Sequence, residues 1–170
     1  MKTLYIMRHA KSSWENFHLD DHERDLLPVG IERTKKIARW LKEKKQIPEL
    51  IICSSAVRAR KTAKIIAKGL GFPLDKISVD PNFYHGDPDE ILEKLYTLPN
   101  RLSRVMIVGH NMTFNDLAND FLDWEHQIGN LPTSGIVCVK INTGKWEEIA
   151  SAKSELDFMI FPKMLKNKKH

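Results

Sequence analysis

Three short apolar runs, far apart in the chain, each end in a polar cluster. Leu4-Tyr5-Ile6-Met7 leads into Arg8-His9-Ala10, and Leu50-Ile51-Ile52-Cys53 leads into Ser54-Ser55-Ala56-Val57-Arg58. Residues 105–108 lead into Gly109-His110-Asn111. Runs of this length are strands rather than helices, and apolar character at every position marks strands covered on both faces, the usual state of a parallel sheet. Between them lie residues at helical spacing: Ile37 and Leu41 with Trp40 after a helix-opening Pro28, then Ala59, Thr62, Ala63 and Ile66. Ile91, Leu92, Leu95 and Tyr96 make a third set, and Phe114, Leu117, Ala118, Phe121 and Leu122 a fourth. Strands alternating with helices predict an α/β chain, a three-layer α/β/α arrangement around a mostly parallel central sheet.

The remaining segments fill in this frame. A short strand is expected near residues 77–79, followed by a loop over residues 81–88. Gly69 and Gly71 read as the stop of the second helix and not as part of a dinucleotide fingerprint. Residues 136–141 and 146–150 read as a hairpin across Asn142-Thr143-Gly144-Lys145, expected at a sheet edge. Asn111 is expected to cap the helix after it. Thr133-Ser134-Gly135 reads equally as a turn into the hairpin or as a pocket wall. No repeat or linker divides the chain, so residues 1–162 are expected to be one domain, with residues 163–170 as a basic tail.

The charge of +5 points to nucleic acid only until its location is considered. Residues 163–170 carry Lys163, Lys166, Lys168 and Lys169 and no acid; without them the balance is 23 basic against 22 acidic residues. That is a solvated end, and no basic stripe interleaved with aromatics accompanies it, so no nucleic-acid partner is expected. The apolar runs are far shorter than the roughly 20 residues that span a bilayer. No membrane association is expected. Cys53 and Cys138 match no metal or redox spacing, which fits a reduced cytoplasmic setting. His18 and His22, four apart among acids, read as a loop and not as metal ligands. Arg60 and Lys61 read as solvated helix residues, and Trp14 and Phe17 as loop aromatics.

If the three strands are parallel, their polar ends meet in the crevice beyond the carboxyl edge of the sheet, where ligands of open α/β sheets bind. Arg8, His9, Arg58 and His110 then converge, a cluster that repels itself unless an anion sits within it. A phosphoryl group fits, because the guanidinium fork matches its oxygens.

These motifs resemble the histidine phosphatase superfamily, the phosphoglycerate-mutase-like fold. Arg8-His9-Ala10 stands for its Arg-His-Gly, and Ser54 through Arg58-Ala59-Arg60-Lys61-Thr62-Ala63 for its Ser followed by Arg-Ala-x-x-Thr-Ala. Val108-Gly109-His110 stands for its Gly-His, and all three occur in the family's order. Arg-His-Ala, the short chain and Asp21-x-x-Arg24-x-Leu26-x-x-x-Gly30 are most similar to the SixA-type phosphohistidine phosphatases. Ala10 in place of glycine keeps the backbone accessible if its φ is negative. The resemblance implies His9 as nucleophile in its neutral form, its other ring nitrogen held by a carbonyl or carboxylate. Arg8 and Arg58 are implied as phosphate ligands, with a protonated His110 donating to the transferring group. It implies no metal and no cofactor. Other branches place an acid between the second and third motifs; the candidates here are His85 and Asp87, and neither matches confidently. An imidazole leaving group needs less protonation than an alkoxide, so a weak acid favours phosphohistidine. The expected partner is thus a phosphorylated protein or a small phosphorylated substrate. The alternatives are a broad phosphomonoesterase on small metabolites and a non-catalytic phosphate-binding module.

Overall fold

The computed structural model describes residues 1–14 and 20–165. Six strands form one sheet: β1 (Lys2–Arg8), β2 (Leu50–Ser54), β3 (Ser78–Asp80), β4 (Arg104–Gly109), β5 (Ile136–Ile141) and β6 (Ser154–Ile160). Their order is β3-β2-β4-β1-β5-β6. The first four of these run parallel, while β5 is antiparallel to both β1 and β6. The sheet is therefore mostly parallel, as the apolar runs predict.

Helices cover both faces, and the two-residue side-chain period decides which residues meet which layer. Leu4 and Ile6 of β1 pack with Val105 and Ile107 under α4 (Pro88–Tyr96) and α5 (Thr113–Phe121). Tyr5 and Met7 turn the other way, with Met106 and Val108, under α1 (Pro28–Glu43) and α2 (Val57–Leu70). Both α1 and α4 begin where the sequence indicates. Pro28 and Pro88 occupy first turns, and Asp87 caps α4 by accepting from the Glu90 amide.

Several details differ from the sequence reading. Gly71, at φ 73°, is the stop of α2, but Gly69 lies inside that helix, where a Cβ would stand 2.6 Å from the Ala38 Cβ. Glycine there lets α1 and α2 approach. The loop over residues 81–88 contains a short helix, α3 (Asn82–His85). The partner of β5 is β6 and not residues 146–150; Trp146–Glu148 form a 3-10 turn whose indole is buried and donates to the Leu102 carbonyl. The antiparallel pair does lie at the sheet edge. Asn111 does not cap α5, whose N-cap position is Met112; its amide reaches the loop at Asn130 and Leu131 instead. Lys163, assigned to the tail by sequence, sits in α6 (Pro162–Leu165), and Leu165 is buried against the α1 side. Residues 166–170, the rest of the expected tail, lie outside the described residues, as do Phe17 and His18. No helix among the described residues is long and apolar enough to cross a membrane.

Candidate active site

The parallel register of β1, β4 and β2 brings their carboxyl ends level. Arg8 pairs with Gly109 across the β1–β4 ladder, and the His9 amide donates to the Gly109 carbonyl at 3.0 Å. His9 and His110 therefore leave adjacent strands side by side, with ring centroids 5.1 Å apart. Arg58, in the first turn of α2, extends its Nε to 3.4 Å from His9 Nε2.

The backbone around His9 is fixed from three directions. The Ala10 amide donates to Thr62 Oγ1 at 2.9 Å, tying the end of β1 to α2. The Ser134 amide donates to the carbonyls of Arg8 and His9, and the Arg8 amide to the Gly135 carbonyl. Residues 133–135 are thus a turn that braces the end of β1, with Ser134 buried and at φ 60°. Ala10 has no positive φ, so alanine stands in this position without strain. Lys11 then meets Gly30: a Cβ on Gly30 would come within 2.5 Å of the Lys11 carbonyl oxygen.

His9 is 6 % exposed, and its Nδ1 lies 2.7 Å from the Ala10 carbonyl. A carbonyl only accepts, so Nδ1 carries the proton and the Nε2 lone pair faces Arg58. Burial, with the charges of Arg58 and Arg8 and the neighbouring His110 adding to it, lowers the His9 pKa to about 3 against the pull of the Ala10 hydrogen bond. The ring is neutral at physiological pH.

His110 departs from expectation. Burial and Arg58 lower its pKa to about 3, so it too is neutral in this structure and not protonated. Its Nε2 is 2.7 Å from the buried Ser54 Oγ, which also accepts from the Ala56 amide. Among the described residues His110 Nδ1, Arg8 Nε and Asn111 Oδ1 are buried without a hydrogen-bond partner. Arg8 Nη1 donates to the Leu131 carbonyl, and burial together with Arg58 pulls its pKa down. Two arginine side chains and two neutral imidazoles, two buried donor sites among them unpaired, form a receptor for an anion.

Sequence reasoning missed the residues that hold Arg58. Its Nη1 donates to the Asp21 carbonyl oxygen at 2.7 Å and its Nη2 to Asp21 Oδ2 at 2.9 Å. Tyr84 also donates to that carboxylate oxygen, at 2.7 Å, and Arg24 to the other at 3.1 Å. Desolvation raises the Asp21 pKa, but the hydrogen bonds from Tyr84 and Arg58 outweigh it and hold the group well below the usual carboxylate range. Asp21 is an ionised anchor. The Asp21-x-x-Arg24 spacing was the available signal; Tyr84 carried none.

The two acid candidates fall at the margin. His85 is exposed, its ring 4.2 Å from that of Tyr84, and Asp87 is occupied as the α4 cap. His22 Nε2 meets Ser55 Oγ at 2.9 Å, and no group of three metal-ligating side chains occurs among the described residues. Lys61 pairs with Asp25 on the surface, whereas Arg60 donates to the Ser55 carbonyl. Trp14 lies open to solvent with the Arg24 guanidinium 3.4 Å from its ring centre.

Comparison with known proteins agrees with this geometry. Residues 4–84, which include Arg8, His9 and Arg58, match the sequence family described as the histidine phosphatase superfamily, branch 1. Over these residues the chain is similar to the histidine phosphatase superfamily. Its relatives include an uncharacterized protein of Mycobacterium leprae, 29 % identical over 88 % of this chain and 96 % of its own. A chloroplastic protein of Arabidopsis thaliana is 33 % identical over 69 % of this chain and 58 % of its own. Among solved structures, the putative phosphohistidine phosphatase SixA of Nakamurella multipartitia has a TM-score of 0.80 at 24 % identity, covering 95 % of this chain and 96 % of its own. The protein histidine phosphatase SixA complexed with tungstate has a TM-score of 0.81 at 23 % identity, covering 96 % and 99 %. A mycobacterial glucosyl-3-phosphoglycerate phosphatase shares the fold less closely, at 0.65 and 15 %, covering 92 % and 97 %. These likenesses show the phosphoglycerate-mutase-like fold over the whole sheet, past residue 84 to β4 and β5. Family and fold together support a phosphatase of the histidine-phosphatase type.

Proposed function

We propose that this protein dephosphorylates protein phosphohistidine through a phosphorylated His9. The observation that carries the reading is the His9 tautomer: Nδ1–H is committed to the Ala10 carbonyl, which leaves the Nε2 lone pair pointed at the Arg58 donor. A phosphoryl group entering between them meets a nucleophile on one side and a guanidinium edge on the other.

In the first step His9 Nε2 bonds to phosphorus as the substrate's P–N bond breaks, its electron pair leaving with the substrate imidazole. Arg58 and Arg8 take the charge of the equatorial oxygens. His110 donates from Nδ1 as a neutral ring, its Nε2 accepting from the Ser54 hydroxyl. Water then breaks the His9–phosphorus bond and releases phosphate and a proton. The carboxylate at the site, Asp21, is ionised and bound to Arg58, so it holds no proton to give. A phosphoimidazole protonated at its other ring nitrogen leaves as neutral imidazole and requires none, whereas an alkoxide does.

Initial rates on a phosphohistidine peptide, p-nitrophenyl phosphate and a sugar phosphate test the reading, with phosphohistidine expected fastest and the sugar phosphate slowest. Preference for the sugar phosphate moves the function to a metabolite phosphatase. His9→Ala is expected to abolish turnover and the acid-labile ³²P adduct trapped on the enzyme. Near-normal activity in that variant removes His9 as nucleophile.

A further inference from the structure

We propose that Tyr84 is the specificity-determining residue for the leaving group, its ring forming the surface against which the substrate's imidazole lies. The proposal deepens the phosphohistidine reading and rests on it. Tyr84 is half-buried on α3, between the anion site and solvent. Its ring centroid is 5.5 Å from that of His110, at 76°, and His110 in turn is 5.1 Å from His9. On its other sides stand His22, 4.8 Å away at 89°, and His85, 4.2 Å away at 62°. The mouth beside His110 is therefore a group of aromatic rings; the acids joined to it are the ionised Asp21, which accepts from the Tyr84 hydroxyl, and Glu23, 3.1 Å from His22 Nδ1 on the outer side.

Such a wall offers little to a sugar hydroxyl, and a bare amine has no ring to lay against it. It suits a flat, polarisable ring that arrives positively charged, because offset and edge-on ring contacts and cation–π attraction both favour it. An imidazolium on phosphorus is such a ring. The Tyr84 hydroxyl does not compete for this role, since it donates to Asp21 Oδ2 and so helps hold Arg58. Ring and hydroxyl thus have separable jobs: the ring faces the leaving group, and the hydroxyl steadies the arginine.

Two P–N substrates isolate the ring. Phosphoramidate loses ammonia and phosphoimidazole loses imidazole, so both break the same kind of bond and only one leaving group is aromatic. Tyr84→Phe keeps the ring, and its kcat/KM should fall on both substrates by the same factor, leaving their ratio unchanged. Tyr84→Leu removes the ring, and the preference for phosphoimidazole should shrink by about three- to tenfold, the range expected for one aromatic contact. An unchanged ratio in Tyr84→Leu overturns the proposal. Wild-type enzyme that cleaves neither substrate yet cleaves alkyl phosphates overturns the phosphohistidine reading itself. A measurement on the unaltered protein guards against misfolding of the leucine variant: imidazole added in the presence of inorganic phosphate should shift the Tyr84 ring proton resonances. No shift at saturating imidazole also overturns the proposal.

Discussion

Arg58 makes three contacts at once, to His9 Nε2, to the Asp21 carbonyl and to the Asp21 carboxylate, and is only 5 % exposed. A planar fork can satisfy all three; an ammonium on a flexible stem cannot. Arg58→Lys is therefore expected to lower kcat by about 10²–10³, the loss typical of one preorganised donor. Asp21→Asn retains an acceptor for Arg58 but removes its charge, so single-turnover rates should fall less, about tenfold, with folding intact by circular dichroism. A loss as large as that of Arg58→Lys means that Asp21 does more than orient the arginine. The convergence of Arg8, His9, Arg58 and His110 was legible in the sequence because each lies at or just past the carboxyl end of a strand. Asp21 and Tyr84 were not, because their bonds to the site join residues 37 and 63 positions apart in the chain. The neutral state of His110 was hidden for a related reason: burial and the approach of Arg58 set it, and neither is visible in a Gly-His pair.

At the scale of elements, β1, β2, β4 and the helices between them were legible because periodicity and end signals agreed. The edge pair was half legible. Trp146 and Ile149 are three apart, a helical spacing, and both are buried in the layer under α4, whereas in the true strand β6 Phe158 and Ile160 share the α1 side and Leu156 and Met159 the other. The β5–β6 ladder also shifts register between Cys138 and Val139, which no turn signal announces. The start of α1 yields a test. Gly30 faces the Lys11 backbone too closely for any side chain, and the Leu27 amide donates to the same Lys11 carbonyl. Gly30→Ala should cost about 1–3 kcal/mol in urea unfolding, as overpacking does, and weaken phosphate binding by moving the residues after His9. Wild-type stability with weakened binding means that α1 shifts freely and the glycine serves the site alone.

For the whole molecule, two buried neutral histidines make acid a threat to the fold. Both have folded pKa values of about 3, below the ordinary value of 6.5, so the unfolded chain binds more protons between these limits. Their contribution is complete above pH 6.5 and is lost as pH falls toward 3, at about 1.4 kcal/mol per pH unit for each histidine. Denaturant titrations from pH 7 to pH 4.5 should show this slope, and His110→Asn should remove about half of it; a flat profile means that the rings are charged when folded. The strand order also governs how the chain acquires its shape during synthesis. β1 lies between β4 and β5, so it is made before either neighbour and finds neither until residues 104–141 have followed it. Until then β2 and β3 can pair only with each other, and the segment bearing His9 waits as an exposed apolar strand. A chaperone that holds extended apolar segments has its natural target there, on a nascent chain that already carries His9 but has not yet brought Arg58 and His110 beside it.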